Sequence, residues 1–99
     1  MVHAGVYASV LHYLKSVQAA GTVDGDAVAA KMKKLPTDDP LFGHGYIRAD
    51  GRAVHPMYVL KVKSPDQVAS PWDLFEIIAT YPGEDLLLPL SQSKCSLVK

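Results

Sequence analysis

The sequence predicts an α/β chain in which two antiparallel helices precede a three-stranded, largely antiparallel β segment. Three observations support this. Apolar residues recur at spacings of three and four over residues 2–20 and again from Val28 to Leu35. The period then changes to two from Tyr46 onward. Gly21, Pro36, Asp50-Gly51 and Pro82-Gly83 punctuate the boundaries.

The first helix is expected over residues 2–20. Val6, Val10, Tyr13 and Val17 form its stripe, Tyr7, Leu11 and Leu14 broaden it, and Gly21 closes it in a left-handed conformation. Met1 and Val2 supply no Ser, Thr, Asp or Asn cap, which reads as a helix cut from a longer chain. The second helix is expected over residues 25–35, capped by Asp24. Asp26 lies in its first turn, Lys31, Lys33 and Lys34 lie in its last, and Pro36 ends it. Val28, Met32 and Leu35 mark its buried side.

Residues 37–45 read as a loop carrying a Leu41-Phe42 anchor. Strands follow over residues 46–49, 54–63 and 74–81, with a turn at Asp50-Gly51. In the middle strand Tyr58, Leu60 and Val62 share one face, and Met57, Val59 and Lys61 share the other. Apolar residues on both faces near Met57–Leu60 call for cover from two sides, and Pro56 places the strand's start on an edge. Residues 82–99 form an irregular tail, and 1–99 is taken as one segment.

The 99 residues suffice for one domain. A hydrophobic share of 48% with 20% charged residues is that of a globular protein rather than a disordered one. Ten basic and ten acidic residues cancel and are dispersed, so no phosphate-neutralising surface is encoded and no nucleic-acid partner is expected. The sole cysteine, Cys95, excludes an internal disulfide and a cysteine zinc site. It is either a free thiol or one whose partner lies on sequence outside this chain. No run approaches the ~20 apolar residues of a membrane span. No signal peptide is recognisable either, which taken literally keeps the chain in the cytoplasm.

No catalytic constellation emerges. His3 and His12 are nine residues apart on one helix, His44 sits in Gly-His-Gly and His55 begins a strand, so no metal-binding pair exists. Ser9 and Ser16 stand in no nucleophile elbow. The neighbouring carboxylates Asp38-Asp39 and Glu84-Asp85 read as solvated loop charge. Gly43-His44-Gly45 lacks the strand-to-helix setting of a phosphate loop. Trp72 is either a ligand-stacking residue or, more simply, a cover over a sheet edge. The sequence calls for no metal, no cofactor and no enzymatic activity.

The order of segments carries a resemblance. Residues 5–17 (GVYASVLHYLKSV), 20–22 (AGT) and 24–32 (DGDAVAAKM) come first. Residues 47–52 (IRADGR), 55–63 (HPMYVLKVK), 71–80 (PWDLFEIIAT) and 93–99 (SKCSLVK) follow. Together they resemble the C-terminal portion of periplasmic solute-binding proteins of the branched-chain amino-acid type, the extracellular ligand-binding receptors of ABC importers. The resemblance implies part of a type I periplasmic binding protein fold, with two α/β lobes closing on a solute. It implies a periplasmic location and, in a full-length form, an importer permease and a small ligand as partners. That ligand would be an amino acid or a small carboxylate, aromatic ones included. No ligand-binding residue transfers from the family; Tyr7 and His3 are the two worth testing. The alternative is a standalone interaction or dimerisation module, self-associating through the apolar faces around Met57–Leu60.

Overall fold

The computed structural model describes residues 2–98, so Met1 and Lys99, and the expectation about a helix cap that rests on Met1, lie outside the described residues. Helix α1 runs Val2–Ala20 and helix α2 runs Gly25–Lys34. Gly21, at φ 67°, donates its N–H to the Val17 carbonyl at 2.9 Å and ends α1. Asp24 caps α2 by accepting from the Ala27 N–H at 3.0 Å. The expected extension of α2 to residue 35 does not occur. Leu35 is extended (φ −85°, ψ 136°), as a residue preceding proline must be to clear the ring of Pro36.

Residues 37–45, expected as a loop, are largely a hairpin. Strand β1 (Thr37–Asp39) pairs antiparallel with β2 (Gly43–Ile47) in the register Thr37↔Gly45, Asp38↔His44 and Asp39↔Gly43. The Asp39 carboxylate closes the turn by accepting from the Leu41 and Phe42 N–H groups at 2.8 and 2.9 Å, and Gly43 supplies the left-handed residue at φ 69°. Strand β1 reads Thr-Asp-Asp and has no apolar alternation, which is why periodicity passes over it.

The strand expected over residues 54–63 is two strands in two sheets. Strand β3 (Ala53–Val54) pairs with β2, completing a β1-β2-β3 sheet. After His55-Pro56 the chain leaves that sheet, and β4 (Met57–Val62) pairs only with β5 (Phe75–Tyr81). Pro56 has no N–H to continue a ladder, so the break falls there. A register shift at Val59/Leu60 leaves Ile78 unpaired on β5, so the period-two faces expected for residues 74–81 do not run through unbroken. The tail comprises short 3₁₀ turns at Gly83–Leu86, Leu90–Gln92 and Ser96–Val98.

The face of α1 that is buried is not the face with the large apolar residues. His12 and Ser16 are buried at 5% and 0% exposure, with Ala4, Ala8 and Ala20 half-buried on the same line. Val6, Val10, Tyr13 and Leu14 of the predicted stripe are exposed. Small side chains let α2 and the hairpin approach closely, and Val28 (2% exposed) and Val54 (3%) complete that core.

Candidate functional site

The exposed side of α1 is an open, largely apolar face with no opposing wall among the described residues. It is made up of Val2, His3, Val6, Tyr7, Val10 and residues of the next turn. The helical repeat puts His3 and Tyr7 together near its N-terminal end as its only polar groups, with Tyr7 half exposed. A cavity of about 330 Å³ lies between α1, the end of α2 and the β1–β2–β3 sheet, where Phe42 and His55 stack with ring centres 4.3 Å apart.

The four histidines are dispersed. His12 Nε2 lies 2.9 Å from the Met32 carbonyl, one of the last-turn acceptors of α2 that has no helical partner. Because a carbonyl only accepts, Nε2 carries the proton, and His12 acts as a cap from a neighbouring helix. His44 Nδ1 lies 3.4 Å from Asp38 Oδ1 across the hairpin, both largely exposed. His55 Nδ1 faces the Pro56 carbonyl at 2.9 Å. Among the described residues, no three His, Cys, Asp or Glu side chains gather as a metal site, and no helix is long and apolar enough to cross a membrane. Trp72 covers no sheet edge; it stands 90% exposed in the loop between β4 and β5. Cys95 is half-buried and free.

Sequence reasoning missed one polar cluster. Arg48 opens the β2–β3 turn, Asp50 lies within it, and the two pair through Nε–Oδ1 at 2.9 Å and Nη2–Oδ2 at 2.6 Å. Their side chains are only 14% and 7% exposed. Arg48 Nη1 also donates to the Leu88 carbonyl at 2.8 Å, and the Ser93 hydroxyl donates to Asp50 Oδ2 at 3.4 Å. The Arg48 hydrogen bonds hold the Asp50 carboxyl down at about 2, helped by the Arg52 N–H and Ser93. Asp50 reciprocally raises the Arg48 guanidinium. This latch joins the hairpin to a tail 40 residues away in sequence. The Arg-x-Asp spacing across a tight turn was the available signal, but nothing in it names Leu88 or Ser93 as partners. At the far end of the ribbon, Lys63 Nζ and Asp73 Oδ1 approach to 2.6 Å, and that bond lowers the Asp73 carboxyl.

The arrangement offers surfaces and a latch, with no nucleophile–base pair assembled among the described residues. The Periplasmic binding protein family model matches residues 1–67. A periplasmic binding protein from Burkholderia mallei is 45% identical, with a TM-score of 0.85 over 94% of this chain and 24% of its own. A branched chain amino acid ABC transporter periplasmic ligand-binding protein from Burkholderia xenovorans is 38% identical, with a TM-score of 0.86 over 94% of this chain and 25% of its own. No curated protein matches. The chain thus spans about a quarter of the length of the two solved structures, and it belongs to the periplasmic binding protein family.

Proposed function

We propose that this chain serves as a portion of the solute-binding component of an ABC importer and has no enzymatic activity. The observation that carries this reading is its 38% identity, over 94% of its length, to a protein described as a branched-chain amino acid transporter's ligand-binding protein. Receptors of this kind bury a small solute in a cleft and hold it with a few placed polar groups. The solute then shifts the population toward the closed form that the importer reads. In this reading the solute is an amino acid or a small carboxylate, aromatic ones included, and the complete receptor works in the periplasm beside its permease. His3 and Tyr7 are the ligand-proximal candidates because they put an imidazole and a phenol at one end of an otherwise apolar helix face.

The test is a chimera in which this chain replaces the matching quarter of the Burkholderia mallei protein. A panel of amino acids and aromatic carboxylates is then screened by thermal shift on both proteins. The chimera should respond to the ligands that stabilise the parent, and Tyr7→Ala or His3→Ala should weaken that response about tenfold. A folded chimera that responds to none of them overturns the reading.

A second reading, a standalone dimerising module, is favoured by the bare β4–β5 ribbon, where all six residues of β4 are exposed. Sedimentation of the 99-residue chain decides it: a concentration-independent monomer excludes this alternative.

A further inference from the structure

Where the tail meets the β2–β3 turn there is a cavity of about 210 Å³. Arg48, Asp50 and Arg52 line it from the turn, and Ser93 and Lys94 line it from the tail. Three of these side chains are cationic and one is anionic, so the lining carries an excess of two positive charges in a chain of zero formal net charge. The concentration is tertiary in origin. Lys94 joins the two arginines only because the latch draws the tail onto the turn.

Hydrogen bonding separates the groups already engaged from those that are not. Asp50 accepts from Arg48 Nε and Nη2, from the Arg52 N–H and from the Ser93 hydroxyl, so its carboxylate is saturated. Arg48 commits two of its five N–H groups to Asp50 and one to the Leu88 carbonyl, which leaves two. The Arg52 guanidinium and the Lys94 ammonium form no ion pair or side-chain hydrogen bond among the described residues. The cavity thus offers unused donors from three cations and no unused carboxylate. A cationic guest finds no counter-charge there, whereas an oxyanion meets the planar donor forks that arginine presents. An excess of two charges favours a dianion over a monoanion. At ~30 Å³ per water the space equals about seven waters, enough for a small oxyanion. It is below the ~300 Å³ at which pockets for drug-sized ligands begin.

We infer that this cavity binds a small dianionic oxyanion of the sulfate or phosphate type, held by Arg52, Lys94 and the remaining N–H groups of Arg48. The bound anion bridges turn and tail and reinforces the latch. Arg52 and Lys94 are exposed and lose rotamer freedom on binding, which keeps the affinity modest. The inference stands apart from the receptor reading, because none of these side chains lies on the open face of α1 or in the cavity beneath it.

The experiment titrates the 99-residue chain with sodium sulfate and follows backbone and guanidinium ¹⁵N shifts. Sodium chloride holds the ionic strength at about 0.1 M so that screening stays fixed. The expected result is a saturable shift at Arg52 and Lys94 with half-saturation below about 10 mM. Amide exchange at Ser93 should slow in parallel. Phosphate should behave as sulfate does, and acetate should bind at least about fivefold more weakly, as a monoanion in a doubly positive site. Arg52→Gln and Lys94→Gln should each weaken sulfate binding about tenfold. Both positions are exposed, so the variants retain the fold, which far-UV circular dichroism verifies. Lys61→Gln removes an exposed charge on β4 and should leave binding unchanged. A shift that rises linearly with sulfate, or that chloride or acetate reproduces at equal ionic strength, overturns the inference. So does saturable binding that survives both substitutions, or that leaves exchange at Ser93 unaltered.

Discussion

The β4–β5 ribbon is richer in large apolar side chains than the first 54 residues, yet only the first region buries any among the described residues. Val28 and Val54 close the core of the helices and hairpin, whereas every residue of β4 is exposed. The body is held by contacts between elements: α1 on α2, α2 on β2, α1 on β1. The ribbon is held by its own ladder and by Lys63–Asp73 near its tip. A two-stranded ribbon in water is marginal by itself, because its backbone hydrogen bonds come with little buried area. Apolar composition therefore does not locate a core; the availability of an opposing face does.

Substitutions can break this contrast, and the largest effect should come from Val28→Asp. A carboxylate at a position 2% exposed has no partner, and the body should lose about 3–5 kcal/mol. That loss would be read as collapse of the far-UV helical signal at lower denaturant. Ile77→Asp on the ribbon should move the same midpoint by no more than about 0.5 kcal/mol. Equal losses from the two would mean that body and ribbon fold as one cooperative unit. His12→Ala comes next, at about 1–3 kcal/mol, since it strips the Met32 carbonyl of its donor and leaves a gap between the helices. Gln at this position should recover part of the loss, which a denaturant series on the three proteins will show.

The latch sharpens the comparison through pH. Asp50 sits at about 2 in the folded chain, below its ordinary 3.8. A carboxyl depressed on folding favours the folded state above its unfolded value, and that contribution fades as pH falls from about 4 toward 2. Tail amides near Ser93 should therefore lose exchange protection over that window in the native protein, whereas in Asp50→Asn protection should already be low at neutral pH and flat. The smallest effect belongs to Asp73→Asn. It should loosen the loop between β4 and β5, seen as faster exchange at Ala69, without moving the melting temperature measurably.

Much of the local architecture was legible in the residues. Asp24, Gly21 and Pro36 mark helix ends by chemistry that acts within a turn or two, and Gly51 at φ 83° does the same for the β2–β3 turn. The β1–β2 hairpin was hidden because Thr37–Asp39 is polar on both faces and is paired through its backbone. The split at Pro56 was hidden because the residues on either side read as one apolar run. At the candidate site, the spacing of four that puts His3 and Tyr7 on one face of α1 is legible in the sequence, whereas the Arg48–Asp50 latch is not, because its further partners Leu88 and Ser93 lie 40 and 43 residues away.

What the sequence alone determined is the set of elements with strong local signals, the absence of a catalytic motif and the family resemblance. The tertiary structure decided which side of each element is used. On α1 the large apolar stripe is the natural candidate for burial, but the line through the small Ala8 and Ser16 and the hydrogen-bonded His12 is what α2 and the hairpin cover. Close approach of two helices favours small side chains. Periodicity reports that a face is apolar without reporting what stands opposite it, and for α1 and the ribbon that opposing surface is not contributed by the described residues.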